Sequence, residues 1–90
     1  MVYLAISQQG LAEALSTAKL TGRAVWCGCD AISDAEYQQH ELKDFSRFTY
    51  PLQHAEPSEL EGALSTIAEH HPNETIWVES RADEVGKPIA

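Results

Sequence analysis

Two thiols, four imidazoles and a surplus of carboxylates are the groups of this chain that could do chemistry. Cys27 and Cys29 stand one residue apart in Cys-Gly-Cys. On a strand they share a face about 6–7 Å apart, farther than the roughly 5.5–6 Å that disulfide Cα atoms favour. Two thiolates and two imidazoles can hold zinc in a tetrahedron, which makes the pair a metal candidate. Its spacing is shorter than the usual two to four intervening residues, and His40, His54, His70 and His71 lie at no recognised ligand spacing. A nucleophilic Cys29 needs a base and an orienting group, and the candidates are His54 with Asp30 or Glu56. The thiolate also needs a cation or a helix N-terminus beside it. A helix starting near Ser33 offers that field, while Asp30 and Asp34 oppose it. His70 and His71 fit a last helical turn, where a cation meets the helix dipole.

Several motifs are absent. The chain has no Gly-x-Gly-x-x-Gly, no phosphate loop ending in Gly-Lys-Ser/Thr, no His-Glu-x-x-His and no Gly-x-Ser-x-Gly. No cofactor is therefore expected.

The elements that must position these groups follow from hydrophobic periodicity. Val2 to Ile6 is a short apolar run and reads as a buried strand. Ser7 to Gly10 reads as the turn after it. Leu11, Ala14, Leu15 and Ala18 keep helical spacing up to Gly22, a helix stop. Ala24 to Cys29 is a second strand. Ser33 and Glu36 form a capping-box pattern at the start of a short, mostly exposed helix over Asp34 to Asp44. Phe48, Tyr50 and Leu52 alternate with Arg47, Thr49 and Pro51, which predicts a third strand, with Pro51 suited to its end. A second box from Ser58 to Glu61 opens a helix with Leu60, Ala63, Leu64 and Ile67 on its apolar face. His70 to Asn73 ends it, and Thr75 to Val78 is a fourth strand.

This order predicts an α/β fold, a compact four-stranded sheet with elements β-α-β-(short α)-β-α-β. Strands apolar on both faces suit a parallel sheet covered on both sides. The rival is a ferredoxin-like α+β sandwich, in which Tyr3, Trp26 and Trp77 share an open face. Leu-Ala-Glu-Ala-Leu-Ser-Thr from Leu11 resembles Leu-Glu-Gly-Ala-Leu-Ser-Thr from Leu60, and each leads to a strand with a tryptophan. The chain thus reads as two similar βαβ halves. Residues 1–79 form the single domain, and 80–90 a frayed tail. If the sheet is parallel, ligands belong beyond the carboxyl ends of its strands. That edge gathers Ser7, Gln8, Gln9, Asp30, Ser33, His54, Glu56, Glu79 and Arg81.

Composition bounds the function. The chain has 90 residues, 6 basic and 14 acidic, for a formal charge of −8. With 43% apolar residues it is not a disordered chain. No apolar stretch nears the roughly 20 residues of a membrane helix, and no signal-peptide pattern opens the chain. The charge argues against nucleic acid and anionic membranes and is compatible with a basic protein partner. Two closely spaced thiols are no secreted disulfide framework, so a cytoplasmic location is expected. The acids Asp34, Glu36, Glu41, Asp44, Glu56, Glu59 and Glu61 could imitate a row of phosphates, although acids near helix starts have an ordinary role. The expectation is a non-enzymatic protein-binding regulator, inhibitor or accessory subunit. Its contact residues would be Trp26, Trp77, Tyr3 and Tyr50, since Trp and Tyr are favoured interface anchors. A homodimer would serve the same aromatic surface. The alternatives are a small-ligand or thiol-dependent enzyme around Cys29, Asp30 and His54, and a metal binder using Cys27 and Cys29.

Overall fold

A computed structural model of the chain describes residues 1–40, 42 and 44–79. The segment expected to be a tail, with Arg81, and the acidic residue Glu41 lie outside the described residues. The elements are β1 (Val2–Ala5), α1 (Gln8–Thr21), β2 (Ala24–Cys27), α2 (Asp34–Gln39), β3 (Phe45–Arg47), α3 (Pro57–His70) and β4 (Ile76–Val78). The sheet order is β3-β2-β1-β4, and all three ladders are parallel. This is the α/β sheet that the element order predicts. The ferredoxin-like rival requires antiparallel neighbours, and none of these ladders is antiparallel.

Residue parity divides the core into two layers. Val2, Leu4, Ile6 and Ala24 meet Ala63 and Ile67 of α3 on one face. Ala5, Val25, Cys27 and Phe45 meet Leu11 and Ala18 of α1 on the other, with Tyr37 of α2 beside them. β1 is therefore buried on both faces, as its unbroken apolar run requires. α2, only 6 residues long, has no buried residue and attaches through Tyr37, whose hydroxyl donates to the Phe45 carbonyl at 3.0 Å. No helix of the described residues is long and apolar enough to cross a membrane.

The two halves match in element order and in helix length, 14 residues for both α1 and α3. They differ in pairing. β1 and β2 are neighbours, whereas β3 and β4 occupy opposite ends of the sheet, so the second crossover passes over two strands.

Three expectations are corrected. The turn expected at Gln8 to Gly10 is already the first turn of α1, because Ser7 is its N-cap and its hydroxyl accepts the Gly10 N–H at 3.1 Å. The cap of α3 is Glu56, not Ser58. Pro57 has no N–H to lose and a preset φ, which fixes it at the first helical position, and Glu59 accepts the Glu56 N–H at 3.0 Å. The third strand is Phe45–Arg47, ahead of the Phe48–Tyr50–Leu52 alternation. That segment bends at Thr49 and Tyr50 as it runs past the end of β2, tied by Phe48 N–H to the Cys27 carbonyl at 2.8 Å and Cys29 N–H to the Tyr50 carbonyl at 3.0 Å. Its alternation records burial of Phe48 and Leu52 under α3, not membership of the sheet. At the far end of α1, Gly22 closes the helix with φ 72°, a left-handed value that favours glycine.

Leu4 is 1% exposed at the centre of the sheet and Leu20 is 89% exposed on the last turn of α1. Leu4→Ala is expected to cost about 2–5 kcal/mol, a large share of the roughly 5–15 kcal/mol that holds a domain folded. Leu20→Ala should stay within about 0.5 kcal/mol. Urea denaturation of the two variants checks both figures.

Candidate functional site

The carboxyl edge of the sheet brings together most of the polar residues expected there, and the described side chains are largely bonded within the chain. The strand order reverses between β1 and β4, the place where open α/β sheets bind ligands. The N-terminus of α1 points into that seam, and its free amides would attract an anion. The Glu79 carboxylate already fills it. Its Oε1 accepts the N–H groups of Ile6 at 2.7 Å and Ser7 at 2.9 Å, and its Oε2 accepts the Ser7 hydroxyl proton. Gly10 permits this approach, because a Cβ at that position would overlap the Glu79 carboxylate. Gln8 and Gln9 are exposed in the first turn of α1.

Asp30 plays the same part beyond β2. Its two carboxylate oxygens accept the Leu52 and Gln53 N–H groups, each at 3.2 Å, and so hold the connection to α3. Arg47, which the sequence marks only as a polar strand residue, clamps the loop between β2 and α2. Its Nε donates to the Ile32 carbonyl at 3.0 Å and its Nη2 to the Cys29 carbonyl at 3.1 Å, with Asp34 3.7 Å from Nη1. The signal that could have singled it out is its isolation, an arginine inside a strand of a chain with only 6 basic residues. Ser33 caps α2, accepting the Glu36 N–H at 3.2 Å.

The thiol cluster does not assemble as a bonded unit. Cys27 is buried and Cys29 half-buried, and both are free. Burial, ahead of the charge of Asp30 and Cys29, pushes the Cys27 thiol up to about 12 despite Arg47 nearby. That group is a neutral, inert thiol at pH 7. His54 is exposed in the turn after Leu52, with no hydrogen bond to Cys29 or to Asp30 among the described residues. The described residues hold no group of three or more His, Cys, Asp or Glu side chains that could bind a metal ion.

The four aromatic candidates fall on opposite faces. The register sets Tyr3 against Val25 and Trp77, and Leu4 against Trp26. Tyr3 and Trp77 therefore share the α1 face, and Trp26 is on the α3 face, contrary to the common phase expected for the three. Trp26 is engaged there. Its ring lies 5.2 Å from Phe48 and 5.4 Å from His70, and its Nε1–H donates to His71 Nε2 at 3.4 Å. That bond leaves the His71 proton on Nδ1, 3.1 Å from a Glu74 oxygen, while the other Glu74 oxygen meets the N-terminal ammonium at 2.6 Å. The ammonium first, and His71 second, hold the Glu74 carboxyl below its ordinary value. Tyr50 joins the same cluster, 5.1 Å from Phe48.

Trp77 is different. It is 56% exposed, and its neighbour Val78 is 37% exposed. A shallow groove of about 350 Å³ runs between β4 and α1, lined by Tyr3, Glu13, Ala14, Thr17, Trp77 and Glu79 among others. α1 packs over β1 and β2 and leaves the β4 flank open to this groove.

Two outcomes test this description. Iodoacetamide on the folded protein should label Cys29 alone, and Cys27 only at the rate of unfolding; the intact mass against time shows this, and rapid double labelling would contradict the burial of Cys27. Glu79→Ala strands two amides and the Ser7 hydroxyl and should cost about 1–2 kcal/mol in urea denaturation, the scale of a lost helix cap. Comparisons with protein-family models, with curated proteins and with solved structures gave no match to the chain.

Proposed function

We propose that this chain is a non-enzymatic protein-binding module, a regulator or accessory subunit that docks through the β4 side of its sheet. The observation that carries this reading is Trp77, 56% exposed beside Val78 on an edge strand, above a groove that no helix of the described residues covers. A large aromatic left in water is costly to the monomer and is an anchor once a partner desolvates it. Tyr3 extends the same surface. Trp26 and Tyr50 support it from the other face by packing the core beneath α3.

What favours this over a thiol-dependent or ligand-binding enzyme is the use of the polar groups. Glu79 and Asp30 accept backbone amides, Arg47 donates to carbonyls, Ser33 and Glu56 cap helices, and His54 stands apart in solvent. The charge of −8 suits a partner of opposite sign and a small regulatory protein alike.

Site-specific photocrosslinking tests the proposal. Benzoylphenylalanine is placed at position 77 in one version of the chain and at position 20 in another, both expressed in the protein's own cells. The expected result is one dominant adduct from position 77 and none from position 20, competed away by excess unmodified chain and not by a Trp77→Ser variant. Equal background at both positions, or an adduct that the Trp77→Ser chain also displaces, would overturn it.

A further inference from the structure

The edge strand beside the groove has a backbone ready for pairing. Thr75 accepts the Val2 N–H at 2.9 Å, and the Glu79 N–H donates to the Leu4 carbonyl at 2.9 Å. Parallel ladders alternate, so the Trp77 backbone also faces β1, and the N–H and C=O groups of Ile76 and Val78 face outward. No described residue bonds to those four groups. Natural sheet edges are blunted by shortness, Lys, Pro or a bulge, because an open apolar edge recruits another chain. Ile76-Trp77-Val78 is short, at 3 residues, but carries no Lys, Pro or bulge.

Among the described residues, the charged side chains beside the edge have one sign. The ionised residues of that set lining the groove are Glu13 and Glu79, with no described Lys, Arg or His beside them. Glu79 is bonded to Ile6 and Ser7, whereas the Glu13 carboxylate has no partner among the described residues. A second copy of the chain would bring another charge of −8 and another Glu13 to this edge. A cationic segment meets no such repulsion.

We infer that β4 accepts a further strand from a partner: an extended, Lys- or Arg-bearing peptide segment. Its backbone pairs with Ile76 and Val78, one apolar side chain enters the groove between Tyr3, Ala14 and Trp77, and a flanking cation meets Glu13. This rests on the protein-binding reading and names the chemistry of the partner. Backbone pairing supplies the binding, and the alternate side chains supply selectivity, as in other strand-addition complexes. The ionic part weakens with salt, since exposed charges are screened over about 10 Å at 0.1 M.

The probe is a capped heptapeptide alternating Lys and Val, titrated into the isotopically labelled full chain while backbone amide resonances are followed. A Glu-Val counterpart and a Lys-Val peptide N-methylated at alternate residues are the controls. The Lys-Val peptide should shift the Ile76 and Val78 amides and weaken when salt is raised. N-methylation should weaken it about tenfold, the worth of one to two backbone hydrogen bonds. Val78→Pro removes only an outward N–H and should do the same; Pro is tolerated on a sheet edge, and the N-methylated peptide decides the matter if that variant does not fold. Glu13→Gln should weaken binding about threefold at low salt. Equal binding of the Glu-Val or the N-methylated peptide overturns the inference, as does no binding of the Lys-Val peptide. Sedimentation as a dimer whose Ile76 and Val78 amides are protected without peptide also overturns it, giving the edge to a second copy. A position-77 crosslink that survives Val78→Pro would leave the protein-binding reading standing and remove strand addition alone. Failure of both the crosslink and the peptide would remove both.

Discussion

A four-residue strand that is apolar on both faces has to be covered twice. β1 is that strand: Val2 and Leu4 need one helix and Ala5 needs another, and all three are buried. The first crossover, through α1, answers one face and places β2 beside β1. The second, through α3, answers the other face and must carry the chain to the far side of β1. The reversal of strand order between β1 and β4 follows from this double burial. So does the open edge. With α1 drawn toward β1 and β2, nothing among the described residues is left to roof β4, and Trp77 stands where the next layer would begin.

The polar economy of the sheet's carboxyl end follows from the short strands. Loops that leave strands of three or four residues turn at once, and their amides have no ladder to join. Glu79, Asp30 and Ser33 supply the acceptors, and Arg47 supplies donors to the carbonyls of the loop after β2. Glu79 and Asp30, each beside two amides, are structural ties.

Much of the fold was legible in the residues. Unbroken apolar runs at Val2 and Ala24 indicated a sheet covered on both sides, and the spacing of Leu11 to Ala18 and of Leu60 to Ile67 marked the two long helices. The failures have physical causes. Alternation at Phe48, Tyr50 and Leu52 reports which side chains are buried, and a bent loop lying under a helix can alternate as a strand does. The cap of α3 was misplaced because Ser58 and Glu61 fit the pattern, whereas Pro57 fixes the frame two residues earlier. The shared face expected for Tyr3, Trp26 and Trp77 depended on register, which no single strand reveals: pairing Val2 with Ala24 puts Tyr3 and Trp26 on opposite sides. Of the candidate site, Glu79, Asp30 and Trp77 were visible as residues. That the first two bind their own backbone and the third stands in solvent depends on tertiary distances.

Gly10 and Glu79 lie far apart in sequence and share one small volume. Their substitutions are therefore not independent. A side chain at position 10 collides with the flexible end of Glu79, so an alanine there turns the carboxylate out of its bonds to Ile6 and Ser7 unless the acid has already been shortened or lost. Change at one of these positions therefore alters the effect of change at the other. Such paired change, traced in any sequences that diverge from this one, would mark which of them keep the seam between β1 and β4 sealed from within and which have opened it to something else.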